Sequence, residues 1–313
     1  MELRIRVLFT SICQTDLTYW RSQDEAHRIF PRIFGHEASG VVESVGEGVS
    51  GLEIGDHVVP IFNDECGKCV YCNSSMTNLC EKFRVDTTKS TMASDGKCRF
   101  STEEGKPIFH FLNTSTFSEY TVVDSACVVK IDHEASLKKM SLLSCGVSTG
   151  VGAVWNTADL EEGSTVAGFD LGAVGLAVVE GARVRGASRI IGVDINSDKQ
   201  IRGEAIGITD FINPKDLDMP VHQGWGLTVL LGVHPSPRLL PLHPMELFDG
   251  RRIVASVFGD FKGKSQLPQF AYHCTKGVVK LEEFITHEMP FSKINDAMQL
   301  LLDGKSLRCV LHL

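Results

Sequence analysis

No stretch of this chain reaches the roughly 18 consecutive apolar residues that a membrane-crossing helix needs, which excludes a helical span. The N-terminus also lacks a charged start followed by an apolar signal core, so the cytosol is the expected compartment. Basic charge is in deficit: 31 Lys and Arg stand against 39 Asp and Glu, a formal net charge of −8. Nucleic acid and other polyanions are therefore not expected partners. Internal repeats and low-complexity segments are missing too, which rules out repeat architectures. What remains is an ordinary enzyme-sized chain of 313 residues, 43% hydrophobic and 8% aromatic, long enough for about two domains with cores of their own.

Cysteine is the residue in unusual supply, with ten in the chain. Four of them, Cys66, Cys69, Cys72 and Cys80, crowd into the run CGKCVYCNSSMTNLC with spacing C-x2-C-x2-C-x7-C. Four thiolates on one short loop can close a tetrahedral zinc site and replace the core that so small a lobe cannot build. A closed site has no open coordination position, so its role is structural. An iron–sulfur cluster shares the C-x2-C-x2-C run, but its usual fourth cysteine comes sooner or is followed by proline. Disulfides fit poorly in a reducing compartment, and a zinc module for nucleic acid would want a basic surface. For the other six cysteines, each taken singly, a buried structural thiol is the default reading.

Hydrophobic periodicity divides the chain. Leu3, Ile5, Val7 and Phe9 alternate with more polar neighbours as in a half-buried strand. Further β-rich runs follow at Gly40–Val45, His57–Phe62, Tyr120–Val123 and Cys127–Ile131, which predicts a mostly β domain carrying the cysteine lobe. The pattern changes near Lys138. Thr165–Phe169 reads as a strand, Gly172–Gly186 as a glycine-opened helix, and Arg189–Asp194 as a second strand ending in an acid. That order is the dinucleotide-binding unit: glycines admit a pyrophosphate at a helix N-terminus, and an acid about twenty residues on accepts from a ribose hydroxyl.

The phrases TSICQTD, FPRIFGHEASGVVESVGEGV, GDHVVP, ECGKCVYC, FSEYTVV, LSCGVSTGVGAVWN, LGAVGLAVVEGARVRGASRIIGVDIN and FITHEMPFSKINDAM cover nearly the whole chain. Together they resemble the zinc-dependent medium-chain alcohol dehydrogenases in their plant form. The resemblance implies an α/β fold, with a GroES-like, mostly β catalytic domain over 1–144 holding the zinc lobe at 66–80. A Rossmann-type doubly wound parallel sheet for NAD would follow over 145–286, then a return to the catalytic domain over 287–313. Two zinc ions per chain and NAD are the implied cofactors, a small alcohol or aldehyde the implied substrate, and a homodimer, or a heterodimer with a relative, the implied assembly.

Site residues follow from the same resemblance. Cys13, His36 and Cys145 match the catalytic zinc ligands, which leave a fourth position open. Glu37 would sit behind the metal, and Asp16 would orient the ligating imidazole. Thr15 matches the hydroxyl that relays the alcohol proton, and Phe62 a wall of the substrate pocket. Gln14, Asp170, Gly172 and Gly175 fall on cofactor-phosphate positions. Asp194 and Lys199 match ribose contacts, Arg308 a pyrophosphate contact, and Leu231, Gly232, Val233 and Phe258 the nicotinamide end. An acid at position 194 favours NAD over its 2′-phosphorylated form.

Four features depart from the resemblance. Asp170 stands where the glycine turn should begin with Gly, and Gln14 where His or Arg is usual. After the strand expected at Thr209–Ile212, only NPKDLDMPVHQGWG precedes the run Leu227–Val233, too little for the helix, strand and helix of the family. The chain also begins near the family's third strand. These features predict weak or absent activity relative to an intact relative, in a truncated or alternatively spliced product. The missing strand leaves two expectations: Leu227–Val233 shifts inward and the sheet closes, or a gap remains. A non-catalytic zinc protein that pairs through the edge strand Ile253–Phe258 is the competing reading, and glutathione-dependent formaldehyde dehydrogenase the nearest competitor within the enzymes.

Overall fold

The computed structural model describes residues 1–218, 225–233 and 239–313, with residue 246 described by its backbone only. In chain order, the first unit begins with β1 (Glu2–Ser11), α1 (Gln14–Trp20), β2 (Glu37–Val45), β3 (His57–Pro60), β4 (Phe100–Ser101), β5 (Pro107–Ile108), β6 (Tyr120–Asp124), β7 (Val128–Lys130) and α2 (Leu137–Met140). The second contains α3 (Gly146–Gly152), β8 (Thr165–Phe169), α4 (Ala173–Val184), β9 (Arg189–Val193), α5 (Gln200–Ile206), β10 (Asp210–Ile212), β11 (Gly226–Leu230) and β12 (Arg251–Ala255). The chain then returns through α6 (Gly263–Thr275), β13 (Ile285–Pro290), α7 (Ile294–Leu302) and β14 (Arg308–His312). Among the described residues no helix is long and apolar enough to cross a membrane.

The first unit comprises Met1–Cys145 and Lys262–Leu313, the second Gly146–Phe261. The return thus comes at Lys262 rather than at residue 287. Its cause is local: the Lys262 ammonium donates to the carbonyls of Cys72 (2.6 Å) and Ser74 (2.8 Å) in the cysteine lobe. Gly263 lies so close to Ile61 that an added Cβ would sit 2.3 Å from its side chain, which fixes the start of α6 against the first unit.

The first unit is built on a seven-stranded sheet ordered β13-β14-β1-β2-β3-β7, with β6 also paired to β1. Leu3, Ile5, Val42, Val58, Val123 and Val128 bury one face of it, as the alternation in the sequence predicts. Register matters most at one end of β1. Ser11 lies opposite Glu37 on β2 and opposite Val310 on β14, so residues just before β2, just after β1 and at the start of β14 converge.

In the second unit β8, β9 and β10 form a parallel sheet ordered β10-β9-β8, while β11 and β12 form a separate parallel pair. The pair is not hydrogen-bonded to β8, so the sheet has not closed around the shortfall. Of the two expectations, the closed sheet is not what the described residues form. Both β11 and β12 are at best half-buried along their length, unlike central parallel strands, which are covered on both faces. Trp225 and Phe248 are 81% and 78% exposed beside them. Between β10 and residue 218 the chain makes one short helical turn, Pro214–Asp216; residues 219–224 of the expected crossover lie outside the described residues.

Burial sets His110 of the first unit against protonation. Its ring is buried, and Nε2 accepts the Arg99 backbone N–H at 3.0 Å. Burial, and then the Arg99 charge, push its pKa down to about 4. The folded state therefore keeps His110 neutral while the unfolded chain takes up a proton below about pH 6.5. This contribution is complete above that pH and is lost as pH falls toward 4, by up to ~1.4 kcal/mol per pH unit. Urea midpoints measured from pH 7 to pH 4.5 should fall less steeply for His110→Gln, whose amide oxygen can still accept from Arg99. An unchanged slope would show that His110 does not carry this proton.

Candidate metal and active site

Two clusters of metal-ligand side chains stand out, each with its donor atoms within 4.8 Å of one another: Cys66, Cys69, Cys72 and Cys80, and Cys13, His36, Glu37 and Cys145. In the first, the Cys72 N–H donates to the Cys69 sulfur at 3.3 Å. Backbone N–H donors, from Glu81 first and then Cys72, draw the Cys69 thiol down to about 6. Burial pushes Cys72 up to about 12. Four soft sulfur donors in one shell fit a closed zinc site.

The second cluster is assembled by the sheet. Cys13 follows β1 and N-caps α1, His36 immediately precedes β2, and Cys145 is held through its neighbour. Ser144 Oγ accepts the Ala38 N–H (3.2 Å) and donates to the Ala38 carbonyl (3.0 Å), pinning this segment to β2. Asp16, fully buried on α1, accepts from His36 Nδ1 (2.9 Å), the Gly35 N–H (3.0 Å) and the Cys13 N–H (3.2 Å). A proton on Nδ1 leaves Nε2 with the lone pair a metal can take, and among the described residues that buried atom has no hydrogen-bond partner. An orphaned imidazole nitrogen beside two thiols is what a zinc ligand set requires.

Charge tunes this cluster. A hydrogen bond with Cys145, then the Arg308 guanidinium, hold the Cys13 thiol well below its usual range, and the same contact with Cys13 raises Cys145. Behind them Glu37 accepts from Arg308 Nε and Nη2, both at 2.7 Å, and from Ser11 Oγ at 2.5 Å. Arg308, expected at a cofactor pyrophosphate, is 4% exposed and also reaches the Cys13 sulfur at 3.6 Å. Thr15 is on α1 with its Oγ1 3.8 Å from that sulfur, and Gln14 is exposed at the helix start. The ring of Phe62 stands edge-on to His36 at 5.8 Å. Two members escaped the sequence reading: Phe111, whose ring is 6.1 Å from His36, and Ser11. Phe111 lies in an apolar run that carries no chemical signature, and only the β1–β2 register identifies Ser11.

The nucleotide loop occupies the second unit. Gly172 caps α4, and Gly175 has to be glycine, since a Cβ there would sit 1.8 Å from the Asp170 carbonyl oxygen. At the end of β9 Asp194 accepts from the Leu171 N–H (2.7 Å), the Asn196 N–H (2.8 Å) and the Lys199 ammonium (2.7 Å). Loop, helix and acid suit an adenosine ribose and its phosphates. Leu231, Gly232 and Val233 follow β11, in the piece of sheet detached from β8. Phe258 is buried after β12 with a left-handed φ of 55°.

Residues 1–133 match the alcohol dehydrogenase GroES-like domain. The whole chain aligns with "Alcohol dehydrogenase-like 3" of Arabidopsis thaliana at 59% identity, covering 90% of that protein. The chain belongs to the zinc-dependent alcohol dehydrogenase family. "Alcohol dehydrogenase 1" of Petunia hybrida is 46% identical over 99% of this chain and 90% of its own. Among solved structures, an alcohol dehydrogenase zinc-binding domain protein from Burkholderia ambifaria superposes with a TM-score of 0.89 at 28% identity, covering 100% of this chain and 91% of that one. The Arabidopsis alignment runs over 353 positions against 313 residues here, so at least 40 positions of that relative have no counterpart within this chain.

Asp16 provides the sharpest test of the metal site. Asp16→Asn, which keeps the shape and removes the charge, should weaken metal retention at the Cys13 cluster roughly 10- to 100-fold and leave the four-cysteine lobe loaded. Metal analysis during dialysis against a graded chelator series checks this. Equal loss from both clusters would place Asp16 in the fold rather than at the metal.

Proposed function

We propose that this protein is a zinc-dependent oxidoreductase that moves a hydride between a small primary or secondary alcohol and NAD. One observation carries the reading: the convergence of buried Cys13 and His36 with half-buried Cys145 around the Nε2 of His36, which has no hydrogen-bond partner among the described residues. Cys13, His36 and Cys145 would hold a catalytic zinc, and Cys66, Cys69, Cys72 and Cys80 a structural one. When bound, zinc supplies Lewis acidity that eases loss of a proton from an alcohol hydroxyl, and NAD supplies the hydride acceptor. The chain's own residues then have separate tasks. Asp16 keeps the proton on Nδ1 of His36 and fixes the ring. Thr15, beside Cys13, receives the alcohol proton and passes it outward. Phe62 and Phe111 exclude water around His36 and favour an uncharged aliphatic or aromatic alcohol.

The nucleotide loop supports NAD through Asp194, and the protein works in the cytosol as a homodimer joined through the edge of β12 that β11 leaves free. A second reading, a folded zinc protein without turnover that pairs with a full-length relative, is favoured by the separation of β11–β12 from β8.

A fluorescence titration of zinc-quantified protein with NADH, followed by alcohol oxidation, separates the two. Two zinc ions per chain, saturable NADH binding and turnover below the order of 10 per second typical of enzymes are expected. Thr15→Ala should then lower turnover on the order of 100-fold, with Thr15→Ser retaining most of it. Two zinc ions with no NADH binding at any concentration would leave the scaffold reading standing.

A further inference from the structure

The loop of the second unit holds a carboxylate that its own glycines do not call for. Asp170 stands between β8 and α4 with φ 65°, a left-handed conformation that costs an L-residue energy and suits glycine. Its N–H is bound to the Val193 carbonyl at 2.9 Å, so the residue is fixed there. The carboxylate does two things. It takes one side of the Lys199 ammonium at 2.9 Å, Asp194 taking the other at 2.7 Å. It also leans over Gly172, the cap of the twelve-residue helix α4, with its oxygens 3.6 and 3.7 Å from where a Cβ would be.

These are the places where a bound dinucleotide would need cationic and backbone donors. Lys199 is shared between two acids, and the negative group nearest the helix start belongs to the chain itself. Because the Asp170 carboxylate is 81% exposed, solvent screens it, but a phosphate arriving at the loop still meets like charge and competes for the same ammonium.

We propose that Asp170 is an intramolecular competitor of the nucleotide phosphates, setting the affinity of this loop by charge. The inference rests on the nucleotide reading of the loop given above. It places the weak cofactor binding expected of this chain in one side chain rather than in the divided sheet alone. The adenosine half of the site, on β8, α4 and β9, is intact beside it.

A charge ladder tests this. Calorimetric titrations of the full chain with adenosine, ADP-ribose and NADH compare wild type, Asp170→Gly and Asp170→Asn. Both variants suit the left-handed φ, so folding is kept, and thermal melts verify it. The expected result is a gain of roughly tenfold or more for ADP-ribose and NADH in both variants, shrinking at high salt, with less than about twofold for adenosine. A gain in Asp170→Gly alone, or an equal gain for adenosine, would assign the effect to shape and overturn the proposal. Unchanged NADH affinity in both variants would overturn it while leaving the nucleotide reading intact. Absence of binding for all three ligands in all three proteins would remove that reading and this proposal with it.

Discussion

The buried pair between Glu37 and Arg308 is the contact on which the first unit of this protein is organised. It joins the first residue of β2 to the first residue of β14 across the end of β1, 271 positions apart in sequence. Burial raises the pKa of the Glu37 carboxyl, and the guanidinium works against that rise. Two parallel N–H···O bonds and the Ser11 hydroxyl satisfy the carboxylate, which is the condition under which a buried ion pair is tolerated. Removing either partner would leave an uncompensated charge in the interior, at a cost of about 3–5 kcal/mol. The pair therefore ties the C-terminal strand to the metal cluster, because the same guanidinium also faces the Cys13 sulfur.

Around that pair the metal-binding geometry is a consequence of sheet register. β1 delivers Cys13 just past its end, β2 delivers His36 just before its start, and Ser144 anchors the approach of Cys145 to Ala38. Asp16 completes the arrangement by accepting from three donors, the Cys13 N–H within its own turn and the Gly35 N–H and His36 Nδ1 just before β2. A one-residue slip of β2 against β1 would turn every side chain to the opposite face, so the alternating apolar residues of the core also protect the ligand set.

The second unit shows how unevenly a parallel sheet depends on its members. β8, β9 and β10 retain their register and their crossover helices α4 and α5. The loop that would hold the adenosine side of a cofactor is consequently formed. By contrast, among the described residues β11 and β12 pair only with each other, with exposed Trp225 and Phe248 beside them. A strand next to β8 would normally supply both backbone partners and apolar cover. At least 40 positions of the Arabidopsis relative have no counterpart within this chain, and among the described residues β11–β12 stand apart from β8.

Local chemistry and periodicity were legible in the amino-acid sequence. The spacing of four cysteines pointed to the cluster the fold brings together, alternation identified β1, and the strand, glycine turn, helix and acid from Thr165 to Asp194 appeared as β8, α4 and β9 within a residue or two. These features depend on neighbours close in sequence, so the sequence carries them directly. Cys13, His36 and Cys145 were recognisable only by resemblance, since their separations encode no distance. What tertiary structure alone decided is of the other kind. It turned Arg308 toward Glu37 and Cys13, recruited Ser11 and Phe111, and placed Asp170 on Lys199. It also left β11–β12 apart from β8. Each of these depends on which strands pair and on which charges then share one buried or crowded space. Such pairings are fixed by the fold's long-range register and have no signature in any short stretch of chain.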